Sequence, residues 1–193
     1  MEEVGEEMGL PHKERVTIEA YYQLRETSDQ LIEYINGIVY MSPSPSTQHQ
    51  RISMRLSSTL FAFLQGKPCE VFSAPFDVEL SREDINDNKV VIPDLSVICD
   101  KKGLTDQKYV GVPTVIMEIL SPSNQSHDLV TKLNLYMQYG IQEYWIVNPI
   151  SNGILIYNLN ENGEYELGIV QATGTASSSV LSGFSIQLAD LFV

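Results

Sequence analysis

Two carboxylates stand where a buried strand would not ordinarily place them. Glu118 lies inside VIMEIL, residues 115–120, and Asp94 inside VVIPDLSVI, residues 90–98. Both runs are short and rich in β-branched and apolar residues, the pattern of strands in a core. Side chains alternate faces along a strand, so Thr114, Ile116, Glu118 and Leu120 share one face. By the same rule Val90, Ile92, Asp94, Ser96 and Ile98 share one. An unpaired carboxylate buried in such a row is strongly unfavourable. Two of them on consecutive strands predict that the pair meets and shares a cation. The alternative is structural, with Asp94 capping a loop and Glu118 in an ion pair with Lys132 or an arginine. Pro93 removes a ladder N–H just before Asp94, which predicts an irregular or bulged strand there, a device that re-aims side chains beside active sites.

The elements that must hold these groups can be read along the chain. Residues 1–14 are acidic with little to bury and are expected to be a disordered tail, leaving 15–193 as a single domain. VTIEAYYQLRE is a helix with Thr17 as N-cap. QLIEYINGIVYMS is a hairpin about Asn36-Gly37. SPSPSTQHQ leads into a second helix, capped by Ser46 or Thr47, that buries Ile52, Leu56, Leu60, Phe63 and Leu64 and stops at Gly66 and Pro68. CEVFSAPFDVEL, KVVIPDLSVI and PTVIMEILS read as three strands, joined by the polar loops SREDINDNK and DKKGLTDQKYVGV. After the loop SPSNQSH, DLVTKLNLYMQYG is a helix ending at Gly140. QEYWIVN is then a strand that crosses back over the sheet. ILIYNL and EYELGIV form a closing hairpin, and FSIQLADLF ends in a short helical turn. The fold class is therefore α/β (α+β with a mixed sheet): helix, three-strand meander, helix, strand, with added hairpins before and after.

Composition narrows the function classes. Of 193 residues 43% are hydrophobic, enough for a sizeable core. No apolar run approaches the roughly 20 residues that cross a bilayer, and the acidic N-terminus has no signal-peptide core. A cytoplasmic protein is expected, with Cys69 and Cys99 as buried thiols rather than a metal motif or a disulfide. The net charge of −13 is uneven: −6 over residues 1–50, −2 over 51–140 and −5 over 141–193. The middle segment, which carries both carboxylates, is nearly balanced, so charge neither requires nor forbids a nucleic acid. Lys101, Lys102 and Lys108, between two site-bearing strands, are either nucleic-acid contacts or a solvated loop. Three scattered histidines make no zinc pattern. Trp145 reads as core packing. Ser121 and Ser123 lack a nucleophile elbow and read as loop and capping residues, Ser121 remaining a lesser site candidate by its position.

Pro93-Asp94, followed 24 residues later by Glu118-Ile119-Leu120, resembles the PD-(D/E)XK nuclease superfamily, and more closely its Uma family of restriction-endonuclease-like proteins. The matching stretches are LIEYINGIVYMSPSPSTQHQ, IPDLSVI, VIMEILSPSNQSHD and KLNLYMQYGIQEYWIVNP. The resemblance implies hydrolysis of nucleic-acid phosphodiesters, DNA favoured, by an enzyme using Mg²⁺ or Mn²⁺ and acting as a homo-oligomer, with a dimer favoured. By matching position, Asp94, Glu118 and the Ile119 carbonyl would hold the metal. Leu120 departs from the pattern, which has lysine there. Lys132, on the following helix with Asp128 and Tyr136 at helical spacing, is the substitute the resemblance points to; otherwise it is a surface lysine paired with Asp128. Glu33 matches a family acid and is either a further ligand or an exposed hairpin residue. His49 matches a family histidine, touching phosphate or serving structure. The competing reading is an inactive nuclease fold that serves as a binding or interaction module.

Overall fold

The computed structural model describes residues 15–41, 44–121, 127–170 and 173–193, with backbone alone at Asp87, Asn88, His127, Asp128 and Val170. The expected tail, residues 1–14, lies outside the described residues. Thr17 opens α1 (Ile18–Thr27) by accepting a hydrogen bond from the Ala20 N–H at 3.2 Å. Strands β1 (Ile32–Ile35) and β2 (Ile38–Met41) are joined at Asn36-Gly37, whose φ values of 54° and 81° give the left-handed turn that matches strand twist. Ser46 caps α2 (Thr47–Leu64), and Ile52, Leu56, Leu60 and Leu64 bury the stripe that the sequence spacing predicts.

The first two of the three runs read as single strands are each two strands in different sheets. CEVFSAPFDVEL divides into β3 (Glu70–Ser73) and β4 (Asp77–Arg82) around a cis Ala74-Pro75 bond. The second run divides into β5 (Ile85–Val91) and β6 (Leu95–Ile98) around Pro93. Asp94 therefore shares no strand face with Val90 or Ile92, contrary to the alternation argument. Proline cannot donate to a ladder, and at this corner the Ala74 N–H reaches across to the Asp94 carbonyl at 3.0 Å. SREDINDNK is not a loop: β4 and β5 extend through it, with Arg82 opposite Ile85 and the Arg82 guanidinium forked onto Asp84 at 2.6 Å. The next expected loop contains a 3₁₀ turn at Lys101–Gly103 and strand β7 (Lys108–Gly111), parallel to β4. Polar composition misled at both places, because pairing rather than polarity decides whether such a segment is extended.

Strand β8 (Val115–Ile119) is followed by a π-helical turn, His127–Lys132, which runs into α3 (Leu133–Tyr139) and ends at Gly140 with φ 83°. Beyond it lie β9 (Glu143–Asn148), β10 (Gly153–Leu159), β11 (Tyr165–Val170), β12 (Thr175–Ser177), β13 (Ser185–Gln187) and α4 (Leu188–Leu191). The described strands form one sheet in the order β11-β10-β9-β8-β6-β3 and a second in the order β2-β1-β5-β4-β7, with β12 and β13 as a separate pair. The predicted meander survives as the antiparallel set β3-β6-β8, and β9 returns parallel to β8 across α3.

Two cores flank the larger sheet. On one face α2, α4 and the β12–β13 pair enclose Leu95, Val115, Met117, Trp145 and Phe184. On the other, α3 and the second sheet enclose Ile98, Ile116, Leu120, Tyr136, Tyr144 and Leu80. Tyr21 and Val90 pack α1 on the outer face of the second sheet. Cys69 and Cys99 form a disulfide, against the expectation of thiols. The cause is register: Glu70 pairs with Ile98 in the antiparallel β3–β6 ladder, so the next residues outward face each other across the strands. None of the described helices is long and apolar enough to cross a membrane.

Candidate functional site

The corner at Pro93 creates the site. Where β5 leaves one sheet and β6 enters the other, main-chain donors lose their ladder partners and must find others. The Ile92 N–H donates to Glu33 Oε1 at 2.7 Å, and the Asp94 N–H points to Glu118 Oε2 at a long 3.4 Å. Asp94 in turn accepts from the Ile119 N–H through Oδ2 at 2.7 Å, beyond the last β6–β8 pair, Leu95–Met117. Three carboxylates from β1, the corner and β8 thus close the break between the sheets. Within a strand a residue's N–H and C=O project to the same side, so the Ile119 carbonyl is directed to the side of Asp94.

A lysine is set among them. Lys132 Nζ lies 2.8 Å from Glu118 Oε1 and 3.0 Å from Glu33 Oε1, and the three side chains are at most 5% exposed. The Tyr136 hydroxyl donates to the same Glu118 Oε1 at 2.9 Å. Lys132 and Tyr136 are four residues apart, so one helical face presents both. His49, in the first turn of α2, has Nε2 3.1 Å from Asp94 Oδ2. Leu120, at the position where the motif has lysine, is buried in the core beside α3.

Asp94, Glu118, Lys132, His49 and Ser121 line one cleft of about 180 Å³, walled by Leu31, Pro45, Pro75 and Ile92. A larger groove of about 680 Å³ lies elsewhere, beside the disulfide and Arg82. It is the bigger concavity, but it gathers neither the paired carboxylates nor the lysine, so the smaller cleft is the chemically equipped one. Glu33 is buried behind Lys132 rather than exposed on the hairpin, and its Oε1 meets both the Ile92 N–H and Lys132 Nζ, which suits it to holding the lysine. The Asp128 side chain and Ser123 lie outside the described residues.

The basic candidates fall away from this cleft. Lys101 is paired with Glu70, and Lys108 on β7 lies 2.5 Å from Glu79 Oε2 on β4. Lys102 is exposed on the 3₁₀ turn, and none of the three lines the cleft. Burial alone would raise the Glu79 carboxyl, but hydrogen bonds from Lys108 and Tyr22 outweigh it and hold the group below its ordinary value.

The donor set suits a hard divalent cation. Glu33, Asp94 and Glu118 against Lys132 leave a formal excess of two negative charges at one place. Among the described residues, no group of three or more His, Cys, Asp or Glu gathers in a metal-ligating arrangement. Two carboxylates and a main-chain carbonyl are nonetheless the sparse oxygen set that Mg²⁺ accepts, since it keeps most of its shell for water and substrate. Tyr136 is the contact that residue patterns placed on the right helix face without giving it a task.

A model of the Uma2 family, described as "Putative restriction endonuclease", matches residues 18–189. Two uncharacterized proteins of Synechocystis sp. are similar. One, slr1290, is 29% identical over 160 residues and 82% of each chain. The other, sll1609, is 25% identical over 136 residues, 69% of this chain and 75% of its own. The crystal structure of a putative nuclease from Anabaena variabilis superposes with a TM-score of 0.70 over 86% of this chain and 91% of that one. At 18% identity that likeness concerns the fold.

Proposed function

The chain belongs to the Uma2 family, and from that premise we propose that it is a divalent-metal-dependent nuclease hydrolysing phosphodiester bonds of nucleic acid, DNA above all. The observation that carries the reading is the convergence of Asp94, Glu118 and Lys132, from a corner, a strand and a helix, on one cleft. Asp94, Glu118 and the Ile119 carbonyl would hold Mg²⁺ or Mn²⁺. When bound, such an ion supplies Lewis acidity and offsets negative charge developing on the phosphate.

The remaining work belongs to the chain itself. Lys132 sets its amine head beside the carboxylate pair, where as an ammonium it would orient the attacking water and stabilise charge developing on the phosphate. It does so from a different element than the motif position, and Leu120 fills the vacated place with core packing. Glu33 fixes the lysine, being itself fixed by the Ile92 N–H. His49 steadies Asp94. Leu31, Pro45 and Ile92 add apolar surface to the cleft lining, which lowers the local polarity in which these groups interact.

Supercoiled plasmid incubated with purified protein and Mg²⁺ or Mn²⁺ tests the reading. Nicked and then linear product should form, a chelator should stop it, and Asp94→Asn should reduce it to the background of a mock preparation. Equal cutting by Asp94→Asn would place the activity elsewhere. Plasmid bound but intact under every metal would assign the chain to the binding modules instead.

A further inference from the structure

We propose that Tyr136 is a positioning residue for Glu118, selecting which carboxylate oxygen faces the metal side of the cleft. The inference rests on the functional reading above and extends it to a residue with no place in the superfamily motif. Two donors converge on one oxygen: the Tyr136 hydroxyl at 2.9 Å and Lys132 Nζ at 2.8 Å, both on Oε1. Carboxylate torsions are soft and nearly two-fold, so a lone lysine would let Glu118 rotate and offer it either oxygen. The second donor removes that freedom and leaves Oε2 turned toward the Asp94 N–H.

The phenol cannot easily yield. Tyr136 is fully buried, and its ring packs edge-on to Tyr144 with centroids 4.9 Å apart at 78°. Lys132 is held from behind by Glu33, which is held by the Ile92 main chain. A continuous set of contacts therefore runs from Ile92, just past the end of β5, through Glu33 and Lys132 to Glu118, and Tyr136 closes it from α3. Its neutrality also matters. A second cation at this place would cancel part of the negative excess that attracts a divalent ion, whereas a phenol donates without adding charge.

Tyr136→Phe keeps the ring and removes the hydroxyl. Mn²⁺ is titrated into the full chain without nucleic acid, followed by electron paramagnetic resonance, with thermal unfolding measured alongside. The dissociation constant should rise about 10- to 100-fold, the usual effect of losing an outer partner of a metal ligand. Tyr165→Phe is the control, since its hydroxyl donates to the Ile141 carbonyl at 2.8 Å on the same side of the sheet. It should lower the unfolding midpoint while leaving Mn²⁺ affinity within about twofold, the level at which a role in stability alone registers. If Tyr136→Phe behaves like Tyr165→Phe, losing stability but no affinity, Tyr136 is structural only and the proposal is overturned, though the metal site stands. Wild-type protein that binds no Mn²⁺ would overturn the functional reading and this inference with it.

Discussion

Glu118 in β8 and Glu143 in β9 are carboxylates 3% and 0% exposed, on two strands that pair in parallel but face opposite cores. Glu143 is surrounded by neutral donors. Its Oε1 accepts from the Trp145 indole at 2.7 Å, and Oε2 accepts from the Ser179 N–H at 2.7 Å and hydroxyl at 2.9 Å. Those bonds pin the segment between β12 and β13 to the sheet, and Glu143 lines neither the site cleft nor the larger groove. Glu118 instead has an ammonium and a phenol on one oxygen, a second carboxylate nearby and an open cleft in front. Burial of an acid is thus no mark of a site. What separates the two is whether the neighbours exhaust the carboxylate or merely aim it.

Lys132→Met should separate them most sharply. It leaves Glu33 and Glu118 buried without their cation, which costs about 3–5 kcal/mol, and it should abolish metal-dependent cutting. Urea unfolding that shifts by less than about 1 kcal/mol would mean the pair is far better solvated than its burial implies. Glu143→Gln should cost less, about 1–3 kcal/mol, because an amide presents one donor to groups that already donate. Its cutting rate per folded molecule should match wild type; a large loss there would erase the distinction between the two acids.

The smallest effect is expected at Glu79, a partly exposed contrast to both. Lys108 beside Glu79 is held above its ordinary value: burial lowers it, but the hydrogen bonds to Glu79 and Tyr22 prevail. Glu79 is depressed in the folded state, so its contribution is present above the unfolded carboxylate pKa and is lost as pH falls through the folded value. Glu79→Gln should therefore cost under about 1 kcal/mol near neutrality, with the difference from wild type closing in acid. A difference that widens in acid would reverse the assigned sign.

The sequence is most legible where local chemistry decides structure. Asn36-Gly37 dictates its turn, Ser46 its cap, and Gly140 the end of α3, because each acts on its immediate backbone. Pro93 likewise announces the break that carries Asp94. What stays hidden depends on distant partners. No local signal says that the strands before and after Pro75 and Pro93 belong to different sheets. KYVG becomes strand β7 only because β4 is available to pair with it. Cys69 and Cys99 meet through the β3–β6 register, which spacing alone does not reveal. In the site, carboxylates in apolar runs singled out Asp94 and Glu118, and the family resemblance, with its lysine missing at Leu120, pointed to Lys132. The same patterning did not single out Glu143, nor did it give Tyr136 its contact with Glu118, since hydrogen-bond partners across elements follow from packing.

The central claim is that the cleft acids, and not buried acids in general, support phosphodiester hydrolysis. The most direct measurement is plasmid nicking in Mg²⁺ or Mn²⁺ by wild type, Asp94→Asn and Glu143→Gln at equal concentrations of folded protein. Cutting by wild type and Glu143→Gln, with none by Asp94→Asn, is the predicted result. Equal cutting by all three, or none by wild type, would contradict it.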